Sequence, residues 1–362
     1  MPSLLTQPEV RLFDYQRQVC DEAARLYAPG AASLLSLPTG AGKTRTALAF
    51  ALEALRAKTV ESVIWLAPGG ELVRQAERAL AALWEDAPLL PRLEILGLVG
   101  KPTSQPNIRF GTVQMAVKRL PRLNWGRRAL VIFDEAHQAS ARTYQRVVRT
   151  ACDDGAYVVG LSATPGRSDD SETRQLVRLF GGRLITPPCL GAQPVVALRQ
   201  RGVLSNLQVV AGPAAARTSP DESQLTNLLS ISRCPGIIFA PSIAECYVIS
   251  AALIRSGARV AVVSHHQPLA MRQSRLEALG RHDLDWLVNV ELLATGIDLP
   301  TLRSVALLSK IGSPILFEQI VGRVSRGPAV GGRSDTCVID PYCLFEEFGG
   351  ISSYARYVAT EW

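Results

Sequence analysis

Two kinds of segment alternate along the chain. Short runs of apolar and β-branched residues, SLLSLP (33–38), SVIWLAP (62–68), NIRFGTV (107–113), ALVIFDE (129–135) and YVVGLSA (157–163), are separated by longer stretches with helical spacing, such as Arg45 to Ala57 and Glu71 to Leu83. The second half repeats this logic. GIIFAP (236–241), ARVAVVS (258–264), DWLVNV (285–290), SVALLS (304–309) and TCVID (336–340) read as strands, and Ile243 to Ser256, Pro268 to Gly280 and Pro314 to Ser325 as helices. Alternation of strand and helix predicts βαβ units and parallel sheets. The runs are apolar without a period of two, as expected of strands covered on both faces. The fold class is therefore α/β.

The length of 362 residues fits two domains. Between the halves, TPPCLGAQP (186–194) and AGPAAARTSPDES (211–223) are rich in Pro, Gly, Ala and Ser. They place one domain at 1–190 and a second at 191–345, with a tail at 346–362. Lys plus Arg is 39 against 32 Asp plus Glu, a formal charge of +7, which suits a polyanionic partner. The seven cysteines, at 20, 152, 189, 234, 246, 337 and 343, form no CxxC pair. That spacing argues against a zinc site or a disulfide framework and for a reducing, cytoplasmic location. The first residues, MPSLLTQPEVRLFDYQ, lack a signal-peptide pattern. No run of about 18 apolar residues exists that could span a membrane.

The chemistry is concentrated at strand ends. Pro38-Thr39-Gly40-Ala41-Gly42-Lys43-Thr44 lies between a strand and a helix. Glycines let backbone N–H groups turn inward around phosphates. Lys43 is expected to reach the β- and γ-phosphates of a nucleotide and the Thr44 hydroxyl to bind Mg²⁺. Leu37 stands where the general phosphate-loop pattern has its first glycine. Ala129 to Phe133 ends in Asp134-Glu135-Ala136-His137, at the strand edge where ligands of α/β sheets bind. Asp134 is the candidate for the metal and Glu135 for polarising the attacking water. His137 lacks metal-ligand spacing to other His or Cys. It is expected to hydrogen-bond across the site toward the second domain.

LPTGAGKT, DEAH and Ser162-Ala163-Thr164-Pro165, in that order, resemble the superfamily 2 helicases and translocases. FDYQRQVCDEA, APGGELVRQA (67–76), GTVQMA (111–116), LLATGIDLP (292–300) and FEQIVGRVSR (317–326) resemble further motifs of that superfamily in the expected sequence. DEAHQASARTY, GLSATPGR, LRQRGVLS (198–205) and LVNVELLATGIDLP are most similar to the group holding RadD, XPB and restriction-enzyme motor subunits. Phe13 and Asp14 replace the Arg-Pro usual before Tyr-Gln, and Ala294-Thr295 replaces a common Thr-Glu pair.

The resemblance implies two tandem RecA-like domains with a nucleotide cleft between them, and an ATP hydrolase driven along nucleic acid with Mg²⁺. It implies that Gln16 reads adenine, that Gly296 and Asp298 adjoin the nucleotide, and that Arg323 and Arg326 meet the γ-phosphate, sharing a helix face at a spacing of three. Gln319, one turn earlier, would face the γ-phosphate or His137. Ser162, Ala163 and Thr164 would couple the nucleotide to movement. Pro68, Gly69, Thr112, Gln114, Ser264 and Thr295 would contact the strand through backbone and small hydroxyls. The basic stretch KRLPRLNWGRR (118–128) extends this track if Lys118, Arg119, Arg122, Arg127 and Arg128 meet phosphates and Trp125 stacks a base; the alternative is a solvated loop with Trp125 packed inward. DNA is the expected polymer, RNA the alternative. A partner nuclease or recombination protein is a further expectation.

Overall fold

A computed structural model describes residues 10–86, 90, 92–98, 105–120, 123, 125–126, 128–140, 142–166, 170–211, 234–294, 299–348 and 362. The main division between two compact units falls between Ala192 and Gln193.

The first unit is a seven-stranded sheet. Its strands are β1 (Ala32–Ser36), β2 (Ser62–Ala67), β3 (Glu94–Gly97), β4 (Asn107–Thr112), β5 (Ala129–Phe133), β6 (Tyr157–Ser162) and β7 (Leu184–Ile185). Their order across the sheet is β3-β4-β2-β5-β6-β1-β7, with every pairing parallel. The helices are α1 (Asp14–Arg25), α2 (Lys43–Arg56), α3 (Gly70–Asp86), α4 (Val113–Arg119), α5 (Arg142–Asp153) and α6 (Asp170–Leu179). The central strands β1, β5 and β6 are buried along their whole length, which is why their sequences run apolar without alternation. Ile64, Val131, Phe133, Val158, Leu176 and Phe180 belong to one core on one side of the sheet.

The second unit opens with α7 (Pro194–Gln200) and forms a six-stranded sheet. Its strands are β8 (Asn206–Ala211), β9 (Gly236–Phe239), β10 (Val260–Val263), β11 (Trp286–Asn289), β12 (Ser304–Leu307) and β13 (Asp335–Asp340). The order is β10-β11-β9-β12-β13-β8, again all parallel. The remaining helices are α8 (Ile243–Arg255), α9 (Leu269–Gly280), α10 (Pro314–Val321) and α11 (Leu344–Glu347). Leu279 of α9 and Phe317 and Ile320 of α10 pack on one core, and Cys246, Ile249 and Leu253 of α8 on another. Both units are parallel α/β layers, the architecture of tandem RecA-like domains.

Every expected strand is present. Three others escape the sequence pattern. β3 is half-exposed and only four residues long, β7 has two residues, and β8 is an edge strand with no fully buried position. The expected helix Pro314 to Ser325 is shorter. Ser313 caps its start, with its hydroxyl accepting from the Leu316 amide, and Gly322 ends it. Beyond Gly322 the backbone is drawn to the segment before β8. The Ser205 amide donates to the Ser325 carbonyl and the Gly327 amide to that of Val203, while Arg326 forms an antiparallel bridge with Leu204. Arg323 and Arg326 therefore do not share a helix face, because these bonds replace the helical ones. The tail expected from Glu346 begins inside α11, whose Phe345, with the following Phe348, packs on Phe317.

Candidate functional site

In the first unit the order β4-β2-β5-β6-β1 brings five strand ends to one edge. Ala67 lies beside Thr112, so Pro68 and Gly69 leave β2 next to the end of β4. On the other side of β2, the Asp134 amide donates to the Leu66 carbonyl at 2.8 Å. Phe133 lies beside Gly160 and Ser36 beside Ser162. This edge thus carries, in sequence across the sheet, Thr112, Pro68-Gly69, Asp134-Glu135, Ser162-Ala163-Thr164 and Ser36, the end of the strand that leads into the phosphate loop.

The loop Thr39-Gly40-Ala41-Gly42 uses left-handed backbone at Gly40 and Gly42, with φ of 86° and 83°. A Cβ at Gly42 would lie 2.6 Å from Gln16 Nε2, so the glycine also admits the Gln16 side chain against the loop. Gln16 is buried, and its Oε1 accepts from the Phe13 amide at 3.1 Å. Lys43 opens α2, directly followed by Thr44. Its Nζ donates to the Leu37 carbonyl at 3.4 Å. Amides at this helix N-terminus together with Lys43 form a cationic cradle suited to phosphate.

Asp134 is buried, and its Oδ1 accepts from the Glu135 amide at 3.0 Å. Burial first, and then the Glu135 charge, push its carboxyl up to about 7, against the pull of Lys43. Glu135 is a non-glycine residue at φ 50°, a costly conformation that the surrounding turn must hold. The chain then enters a 3₁₀ turn, Ala136–Ser140. That turn packs close to β6 because Gly160 lacks a side chain; a Cβ there would meet Phe180 at 2.5 Å and the Ala136 Cβ at 2.8 Å. His137 Nδ1 consequently lies 3.3 Å from Glu135 Oε2 and 3.5 Å from Ser162 Oγ. Glu135 Oε2 makes no aligned hydrogen bond. Ser162 Oγ donates to the Thr164 carbonyl at 2.6 Å and accepts from the Thr164 amide at 3.1 Å.

The acidic pair fits a divalent cation. A buried carboxyl beside a second acid supplies oxygen donors of the kind Mg²⁺ takes together with phosphate oxygens and waters. Among the described residues no cluster of three His, Cys, Asp or Glu could hold a metal, and none of the seven cysteines forms a disulfide. No helix among them is long and apolar enough to cross a membrane.

Gly69 has open space where a Cβ would stand. Thr112 caps α4, its Oγ1 accepting from the Met115 amide at 3.2 Å. Gln114 hydrogen-bonds Tyr144. The stacking role of Trp125 is not supported, since that ring is 1% exposed and packed in the core. Arg128 precedes β5 and so lies at the opposite edge of the sheet, bonded to Glu61 at 2.7 Å and to the Lys58 carbonyl. It does not extend the track. Lys118 and Arg119 end α4; Arg122 and Arg127 fall outside the described residues.

In the second unit Ser264 follows β10, its amide donating to Gln267 Oε1 at 3.3 Å. Thr295, Gly296 and Asp298 lie outside the described residues. Gln319 is buried on α10. Arg323 Nε donates to the Ala294 carbonyl at 2.9 Å. Burial lowers the Arg326 pKa from its ordinary value. Ser205 was not anticipated from sequence. Its hydroxyl donates to the Val324 carbonyl at 3.0 Å and lies 2.8 Å from Thr336 Oγ1, anchoring the arginine segment. A lone serine in a short polar run carries no signal of such a contact.

Residues 9–167 match the family model for the type III restriction enzyme, res subunit. Residues 222–327 match that for the helicase conserved C-terminal domain. A candidate helicase of Sulfolobus islandicus filamentous virus (isolate Iceland/Hveragerdi) is 25% identical over 81% of this chain and 57% of its own length. The type I restriction enzyme EcoKI endonuclease subunit of Escherichia coli (strain K12) is 23% identical over 81% of this chain and 31% of its own. The chain thus spans a little over half of one relative and about a third of the other. A fragment assigned as the HsdR subunit of a type I restriction enzyme from Vibrio vulnificus YJ016 has a TM-score of 0.70 at 20% identity, over 93% of this chain and 65% of that one. At that identity the likeness is one of fold.

Proposed function

Because the chain belongs to the superfamily 2 group of helicases and restriction-enzyme motors, we propose that it hydrolyses ATP to move along nucleic acid, with DNA as the polymer. The carrying observation is the edge of the first unit, where the end of the strand leading into the phosphate loop, the Asp134-Glu135 pair and the Pro68-Gly69 and Thr112 strand ends come together. In this reading the loop amides of Thr39 to Gly42 and the Lys43 ammonium hold the triphosphate, and Gln16 holds the base. Thr44 and Asp134 would hold a Mg²⁺, which would supply positive charge to the phosphates. Glu135 orients the attacking water, poised by its left-handed backbone and by His137. Arg323 and Arg326 stabilise the charge of the transition state, an effect typically worth ~10³–10⁵ in rate. Gln319 assists at the γ-phosphate, Gly296 and Asp298 adjoin it, and Ser162, Ala163 and Thr164 pass its state to the track. The track itself comprises Pro68, Gly69, Thr112, Gln114, Ser264 and Thr295. Restriction-enzyme relatives favour DNA over RNA. They also support a second reading, a motor serving a partner nuclease or recombination protein, since most of the EcoKI subunit has no counterpart in this chain.

The test is ATP hydrolysis measured with single-stranded, duplex and forked DNA and with matching RNA. Low basal turnover, stimulated more by DNA than by RNA, is expected. Glu135→Gln should bind ATP and lose turnover. Absence of stimulation by any of these polymers, or normal turnover in Glu135→Gln, would overturn the proposal.

A further inference from the structure

Arg323 sits in the second unit on a chain of contacts that starts at a buried amide. Asn289 is the last residue of β11 and is fully buried. Its Nδ2 donates to the Ile238 carbonyl of β9 at 3.0 Å. Its Oδ1 accepts from the Leu293 amide at 3.0 Å. Leu293 is the middle residue of the 3₁₀ turn Leu292–Ala294. The next carbonyl, that of Ala294, accepts from Arg323 Nε. Glu291, between Asn289 and this turn, has φ 52°, a conformation that persists only where its surroundings impose it. The same device stands in the first unit, where Glu135 at φ 50° leads from β5 into a 3₁₀ turn.

We infer that Asn289 is a positioning residue for ATP hydrolysis: it clamps the Glu291–Ala294 turn to β9 and thereby fixes the carbonyl that aims the Arg323 guanidinium. The inference rests on the proposed role of Arg323. An apolar residue at this buried site would fill the space but release the turn, since no backbone bond from β9 replaces the two amide contacts. The guanidinium would keep its charge and lose its aim. Binding of ATP should then survive while the chemical step slows, because a group that acts in the transition state affects kcat before KM.

The experiment is a double-mutant cycle on the full chain with saturating nucleic acid. Asn289→Leu should lower kcat roughly tenfold with the KM for ATP nearly unchanged. Arg323→Ala should lower kcat further. In the Arg323→Ala background, Asn289→Leu should cost less than about twofold, because residues acting through one group are not additive. Multiplying losses, or an unchanged kcat in Asn289→Leu, overturns the inference while leaving the ATPase reading intact. A wild-type chain without nucleic-acid-stimulated ATPase removes that reading and this one with it. Should Asn289→Leu fail to fold, hydrogen exchange on the wild type decides. The Leu293 amide should be protected like the amides of β11, and exchange at the rate of an open turn refutes the clamp.

Discussion

Burial and the neighbouring Glu135 raise the Asp134 carboxyl to about 7, and Lys43 only partly opposes them. In the metal-free protein the folded state therefore holds a proton at pH values where an unfolded chain, with its carboxyl near ~4, has released it. Stability falls as pH rises through that interval, because the folded state binds more protons than the unfolded one. Asp134→Asn removes the titration. In EDTA it should melt above the wild type at pH 8, and the difference should shrink as pH falls through 5. Equal melting temperatures at pH 8 would show that Asp134 carries no buried charge. At the same scale, Arg128 illustrates how contacts reassign a residue: its guanidinium is committed to Glu61.

At the scale of elements, the acidic turn depends on how closely it approaches β6. Gly160 is the point of contact, with Phe180 and Ala136 on it. A methyl group there overpacks the core, which typically costs ~1–3 kcal/mol. Gly160→Ala should lower stability by that amount in a denaturant titration and reduce ATP turnover more than ATP binding, since the turn carries Glu135 and His137. Turnover unchanged despite the lost stability would show that the turn tolerates displacement. The end of α10 teaches the complementary lesson. A spacing of three predicts that Arg323 and Arg326 lie together on a helix, yet Gly322 stops that helix and Val203 to Ser205 bind the chain beyond it. The bonding capacity of a distant segment is invisible in the local pattern.

For the whole molecule, the formal charge of +7 bears on partner binding and not on the fold. If strand ends contact phosphates, the affinity for DNA should fall with salt, each neutralised phosphate steepening the log–log slope by ~0.9 on duplex and ~0.7 on single strands. A binding titration across salt concentrations measures this. A slope near zero would mean that no phosphate is neutralised in the complex. The placement of Arg128 leaves the slope to other basic groups.

The order of apolar strands and helices, the phosphate loop and the acidic strand end were all readable in the chain itself. Each is a local pattern: burial on both faces makes a parallel strand apolar throughout, and a tight anion-binding turn needs its glycines and lysine consecutively. Tertiary structure alone decided which strands neighbour one another, and so that Thr112, Gly69 and Asp134 share an edge. It also decided that Arg326 pairs with Leu204, that Trp125 points inward and that Asn289 of β11 ties β9 to the Leu292–Ala294 turn. Those outcomes depend on hydrogen bonds and packing between residues far apart in sequence, whose partners are chosen only when the chain is folded.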